Sequence, residues 1–230
     1  MPTCVIAGVG PGNGRALAAC FAREGYRIAA LARSEASLEA VREIEGCLSL
    51  RCDVSDPESV RSAFTEIEGE LGAIDVLVQN AGGGRFGDCR EVEAEDLAQA
   101  WQSNVLGLFH CSRAVLPGMT QRGRGSIVVI GATASLRGGE KFAAFAQAKA
   151  AQRTLAQSMA RRLGRDGIHV AHLVIDGAID HPRMRERLPS APDSFFLAPE
   201  AIARSVLHLV EQEPSAWTFE LDIRPFGERW

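Results

Sequence analysis

Glycines 8, 10, 12 and 14 are the first residues of this chain whose type and spacing allow chemistry. They follow a short apolar run at 3–8 and precede a helical pattern at 15–23. A strand, a glycine turn and a helix bring backbone N–H groups and a helix N-terminus up to a phosphate, and residues without side chains leave room for it. A dinucleotide pyrophosphate is the usual guest, although such turns also serve packing alone. The next strand pattern, 26–32, ends without the acid that would bind a ribose 2′-hydroxyl. Arg33 stands there instead, and its planar cation suits a 2′-phosphate, unless it merely faces water.

The spacing of Gly8, Gly12 and Gly14 is GxxxGxG, with Asn13 where the ordinary GxGxxG would require glycine. In this the chain resembles the short-chain dehydrogenases/reductases, and the resemblance runs from the first strand to the last. It implies that Gly8, Gly12, Asn13 and Gly14 cradle the dinucleotide. It further implies that Asp53, after the strand at 47–52, accepts from the adenine amino group while Val54 packs on the ring; the alternative for Asp53 is a helix N-cap. Gln79-Asn80-Ala81-Gly82 is similar to the family's Asn-Asn-Ala-Gly segment, so Asn80 would stitch strands while Ala81 and Gly82 let the cofactor ribose approach. Asn104 would kink its helix and hold a water leading from the catalytic Lys149 to solvent, and Lys149 would bind the nicotinamide ribose. With Arg33, the resemblance implies NADP(H) in preference to NAD(H).

The family's chemistry also uses a Tyr four residues before the lysine and a Ser at the end of the fifth strand, as acid/base and as a support for the substrate oxygen. Here Phe145 precedes Lys149 by four, and Ala132 falls at the Ser position. The only tyrosine, Tyr26, opens the second strand at its amino end. A gapped alignment would bring Thr133 or Ser135 into the Ser role. The candidate substitute acids or bases are Lys149 itself and, after the sixth strand, Asp176, Asp180 and His181, which are otherwise ordinary turn residues. Three functions stay open. One is an NADP-linked oxidoreductase of a small carbonyl, alcohol or activated alkene with an atypical proton relay. The others are a catalytically silent nucleotide-binding sensor or partner protein, and a non-redox lyase or isomerase.

Strand patterns at 3–8, 26–32, 47–52, 74–79, 125–131, 168–175 and 217–223 alternate with helical patterns at 15–23, 37–45, 57–71, 94–119 (two helices), 142–163 and 199–211. Connections too long for hairpins call for right-handed crossovers. The expectation is an α/β fold: a single-domain, Rossmann-type doubly wound sheet of about seven parallel strands over residues 1–230. With 46% hydrophobic and 23% charged residues and a net charge of −4, neither a nucleic-acid nor a membrane surface is expected. Six cysteines without CxxC spacing read as reduced packing residues, and His169 and His172, three apart on a strand, face opposite ways, so no metal site is expected. The N-terminus shows no signal-peptide pattern, and a cytoplasmic protein with a small-molecule substrate is expected. The family habit of packing the helices at 94–119 and 142–163 against copies of themselves implies a homodimer or homotetramer, with residues 225–230, Trp230 included, as further contacts. The segment 183–197, with three arginines and two phenylalanines, would bind an acidic or acyl substrate or cover the pocket.

Overall fold

The computed structural model describes residues 1–227. Strand β1 (Thr3–Ala7) is buried along its whole length and splits its side chains between two cores. Cys4 and Ile6 enter one face; Val5 and Ala7 enter the other, as the two-residue strand period requires. Beside it lie β2 (Arg27–Ala32) and β3 (Leu48–Arg51) on one side, and β4 (Val76–Gln79), β5 (Gly125–Ile130), β6 (Ile168–Ile175) and an edge strand, Glu220–Ile223, on the other. All pairs in this seven-stranded sheet are parallel. Parallel order requires crossover helices, and they cover both faces. On one face, α1 (Asn13–Arg23) buries Leu17 and Phe21 together with a late helix, Pro199–Val210, that supplies Ile202 and Val206. The short α2 (Glu35–Leu38) adds Leu38 to that same core. On the other face, α3 (Pro57–Leu71) supplies Phe64 and Ile67. The wall is completed by α4 (Ala94–Trp101), α5 (Gly107–Arg122) and α6 (Ala143–Leu163).

Local sequence explains most boundaries. Asp56 caps α3 by accepting from the Glu58 N–H at 3.0 Å, Pro57 fills its first turn, and Gly72, at φ +69°, ends it. The helix expected at 37–45 is corrected: it starts at Glu35, tightens to a 3₁₀ turn over Glu39–Val41 and stops, with only Leu38 and Val41 buried. So few apolar residues cannot hold a longer helix on the sheet. The two helices expected over 94–119 run as one, through a π-helical turn at Gln102–Leu106, and extend to Arg122. The strand expected from 217 is shorter, because a 3₁₀ turn at Pro214–Ala216 precedes it and Trp217 stacks on His169 at 4.8 Å.

Between β6 and the late helix lie elements the patterning does not announce. A two-residue strand β7 (Ala178–Ile179) pairs with β8 (Phe196–Leu197), enclosing α7 (Pro182–Arg187); the sheet's edge strand Glu220–Ile223 is therefore β9 and the late helix α8. Among the described residues, no helix is long and apolar enough to cross a membrane. The subunit contact expected of Trp230 lies outside the described residues.

The sheet order β3-β2-β1-β4-β5-β6-β9 reverses direction between β1 and β4. Two glycines of the first turn test how tightly that junction is closed. A Cβ on Gly8, at φ +97°, would lie 2.4 Å from the Ala81 backbone nitrogen, whereas one on Gly10 would meet nothing within 4 Å. Gly8→Ala is expected to lose more than about 1 kcal/mol of stability, and Gly10→Ala to stay within about 0.5 kcal/mol, read from denaturant midpoints. Equal midpoints for the two variants would show that the turn is not packed against β4.

Candidate active site

At the carboxyl ends of the strands, the loops after β1 and β4 diverge and leave a cleft of about 980 Å³. Open α/β sheets bind ligands at this switch point. One wall is the glycine turn. Gly8 and Val9 donate to Leu31 O at 2.8 and 2.9 Å, and Asn80 donates from Nδ2 to Gly8 O at 2.5 Å. Asn13, the residue that breaks the commoner glycine pattern, donates from Nδ2 to Asn80 Oδ1 at 2.8 Å, so both asparagines lock the turn to the end of β4. Helix α1 then begins with no side-chain cap and no acid in its first turn, and its N-terminus keeps its partial positive charge for an anion. His181 does not join the lysine: its ring stands against Gly12, where a Cβ would come 3.0 Å from Cδ2, and its Nδ1 accepts from the Arg183 N–H at 3.2 Å.

The far end of the cleft is made by β2 and β3. Arg33 is exposed there, with Ser34 and Ser37, whose hydroxyls are 2.9 Å apart. Neither serine stands out in the sequence, although Ser34 follows Arg33 directly and Ser37 comes three residues later. Arg51 Nε fixes the strand end by donating to Arg33 O at 3.0 Å. Asp53 is half-buried, which opposes its charge, but two hydrogen bonds from Ser55 (N–H at 3.0 Å, Oγ at 2.7 Å) and the nearby Arg33 cation hold its carboxyl below the usual range. The helix cap falls to Asp56, which leaves Asp53 on the cleft wall beside Val54.

Behind the segment 82–84 lies Lys149, buried on α6. Its Nζ donates to Ile130 O at 2.7 Å and to Gln152 Oε1 at 2.9 Å, and Gln152 Nε2 donates to the Asn104 carbonyl at 2.9 Å. Asn104 sits in the π turn and donates from Nδ2 to Ala100 O and Gly83 O, both at 2.7 Å, while its buried Oδ1 has no partner. Gly82 lies directly over the pair: a Cβ there would be 2.4 Å from Asn104 Oδ1 and 3.3 Å from Lys149 Nζ. Burial with no carboxylate in contact pushes the lysine pKa down from 10.5 to about 7. Gln152 had no sequence signal beyond its position one turn after the lysine.

The Phe145 ring centroid is 5.8 Å from Lys149 Nζ, and Ala132 is half-buried at the end of β5. Ser135 is buried and its Oγ accepts from the Ala132 N–H at 3.1 Å. Asp176 is also buried, accepting from Thr133 Oγ1 at 2.6 Å, with Arg224 and Arg137 nitrogens at 3.5 and 3.6 Å. Asp180 is bound bidentately by Arg185 at 2.7 and 2.8 Å. The hydrogen bonds of these candidate substitutes thus run to partners other than Lys149. Tyr26 packs on Phe21 at 5.1 Å, at the opposite, amino end of β2.

Residues 2–192 match the family model for short chain dehydrogenases. Carbonyl reductase family member 4 from Xenopus laevis is 31% identical over 214 residues, covering 90% of each chain. A 3-oxoacyl-(acyl-carrier-protein) reductase from Escherichia coli is 29% identical over 226 residues, covering 94% of this chain and 92% of its own. Among solved structures, a short-chain dehydrogenase from Rhodopseudomonas palustris superposes with a TM-score of 0.83 at 33% identity, over 98% of this chain and 99% of its own. An alcohol dehydrogenase from the archaeon Thermococcus sibiricus, complexed with 5-hydroxy-NADP, gives 0.87 at 28% identity over 100% and 98%. The chain belongs to the short-chain dehydrogenase family.

Proposed function

We propose that this chain is an NADP(H)-linked oxidoreductase of a small carbonyl or alcohol, in which Lys149 moves the proton that a tyrosine moves elsewhere in the family. The donor set fits the cofactor. The uncapped start of α1 faces the cleft for a pyrophosphate, Arg33 with Ser34 and Ser37 suits a 2′-phosphate, and Asp53 keeps one carboxylate oxygen for an adenine amino group. The solved relative from Thermococcus sibiricus holds an NADP derivative in the same fold. When bound, the cofactor supplies or accepts the hydride.

The observation that carries the reading is Lys149 itself, buried beneath Gly82 and poised to gain or lose a proton near neutral pH. Phe145 and Ala132 occupy the family's Tyr and Ser positions and keep the apolar shape of the site without a hydroxyl. The ammonium therefore acts as the acid toward the substrate oxygen in reduction, and the amine as the base in oxidation. Ile130 O and Gln152 hold the lysine side chain, the Asn104 carbonyl holds Gln152, and Asn104's free Oδ1 is the place for a water joining the lysine to solvent.

Three outcomes test this. In fluorescence titrations NADPH binds more tightly than NADH, and Arg33→Ala weakens NADPH by about ten- to a hundredfold, the range of a charged hydrogen bond, with little effect on NADH. A chain that binds neither nucleotide ends the proposal. NADPH consumption with a carbonyl panel falls as pH rises through about 7, where Lys149 loses its proton, while alcohol oxidation rises; Phe145→Tyr with Ala132→Ser raises the reductive rate by about 10²-fold. If the native chain binds NADPH but only that double variant consumes it, the chain is a nucleotide sensor instead.

Stability gives a readout without turnover. Between pH 7 and 10.5 the unfolded chain carries a proton on Lys149 that the folded chain does not, so stability rises with pH across that window. Lys149→Met is expected to stabilise the protein at pH 6 by on the order of 2 kcal/mol, lost hydrogen bonds offsetting part of the gain, with the difference shrinking toward pH 10.5. A constant difference across that range would mean that the lysine is not held neutral by burial.

A further inference from the structure

Three phenylalanines from two separate elements converge beside Lys149. Phe145 lies one helical turn before it, with Nζ 5.8 Å from the ring centroid. Phe86, from the loop after β4, meets Phe145 edge to face at 6.0 Å and Phe142 at 5.2 Å. Phe86 is not free to swing: the Gly87 N–H donates to Lys141 O at 2.8 Å and the Ala143 N–H to Gly87 O at 3.3 Å, pinning the loop to the start of α6. Gly84 seats it further, since a Cβ there would lie 3.1 Å from Phe145 Cα.

These rings still face water: Phe86 is 50% exposed and Phe142 41%. A contiguous aromatic surface left in solvent marks a binding surface, and rings inclined at 69° and 79° offer both an edge and a face to a further ring. Arg187 of α7 reaches the same place, its guanidinium carbon 5.7 Å from the Phe86 centroid. Arg185, two residues earlier, is neutralised by Asp180 and Asp193, whereas Arg187 has no carboxylate in ion-pair distance among the described residues. A patch of three rings, one of them against the buried lysine, that ends at an unneutralised cation matches one ligand chemistry.

Resting on the reading of Lys149 as the proton donor, we propose that the substrate is an aryl carbonyl bearing an anionic group, its ring against Phe145, Phe86 and Phe142 and its anion toward Arg187. An extended aliphatic chain would bury apolar area there but gain nothing from ring edges, and a neutral one nothing from the cation.

The test compares 4-carboxybenzaldehyde, benzaldehyde and hexanal as NADPH-linked substrates, with terephthalate binding to the NADP⁺-loaded protein measured by calorimetry. The expected kcat/KM falls in that order, by about tenfold per step, the worth of one good aromatic or charged contact. Phe86→Ala should compress the benzaldehyde-to-hexanal ratio, and Arg187→Gln the ratio of the carboxylated to the plain aryl aldehyde, together with terephthalate affinity. Hexanal used as well as the aryl aldehydes, with ratios insensitive to both substitutions, overturns the substrate class while leaving the oxidoreductase reading intact. If NADPH binds and no aldehyde is reduced, calorimetry decides: terephthalate binding that Arg187→Gln weakens sustains the ligand class, and its absence overturns it. Should Phe86→Ala instead dissociate an oligomer in sedimentation without moving either ratio, the patch is a contact between copies and the proposal falls.

Discussion

The close passage of the Gly8 turn past the end of β4 is the contact on which the site depends. The two backbones approach until no side chain fits between them, and Asn80 bridges the gap by donating to Gly8 O and accepting from Asn13. Buried or half-buried backbone carbonyls need such partners, and the asparagine pair supplies them where the sheet ladder has ended. The junction fixes the direction of α1 and thereby aims its unsatisfied N–H groups into the cleft. It also sets the course of residues 82–84, which roof the lysine. The glycine wall of the cleft and the cover over Lys149 are thus held by one joint.

The second constraint is electrostatic. A buried lysine without a counter-ion is destabilising, and here two acceptors, Ile130 O and Gln152 Oε1, offset only part of the cost. The chain places its ion pairs elsewhere: Arg153 binds Glu220 bidentately at 2.5 and 2.8 Å, and the same carboxylate takes the Nδ1 of the buried His172 at 3.0 Å. Burial pushes that imidazole down to about 4, and it stays neutral beside the lysine's helix. Keeping neighbouring charges compensated leaves desolvation as the main influence on Lys149, which brings its titration to the range where proton transfer is effective.

Much of the fold was legible because its determinants are local. β6 and α3 occupy the segments expected of them, and in the structure Asp56, Pro57 and Gly72 bound α3 locally. The short helix at 35–41 was misplaced because its hydrophobic support is two residues, too little for a periodic signal. The β7–β8 pair was invisible for a related reason: two strands of two residues carry no periodicity and exist only because the chain folds back across 180–195. At the site, the glycines and Arg33 stand out by type and spacing, and Asp53, Asn80, Asn104 and Lys149 by the family resemblance, while Ser34, Ser37 and Gln152 do not.

By itself, the sequence determined the layered α/β architecture, the glycine turn and the residue types at Lys149, Phe145 and Ala132, since periodicity, absent side chains and residue identity are properties of the chain alone. Tertiary structure alone decided which groups meet. The sequence could not reveal that His181 stands against Gly12 rather than the lysine, that Asp176 is bound by Thr133, or that Gly82 covers Lys149. Each of those contacts joins elements dozens of residues apart, and a lysine's pKa depends on what surrounds its Nζ, which is set only when the sheet, α6 and the loop after β4 close together.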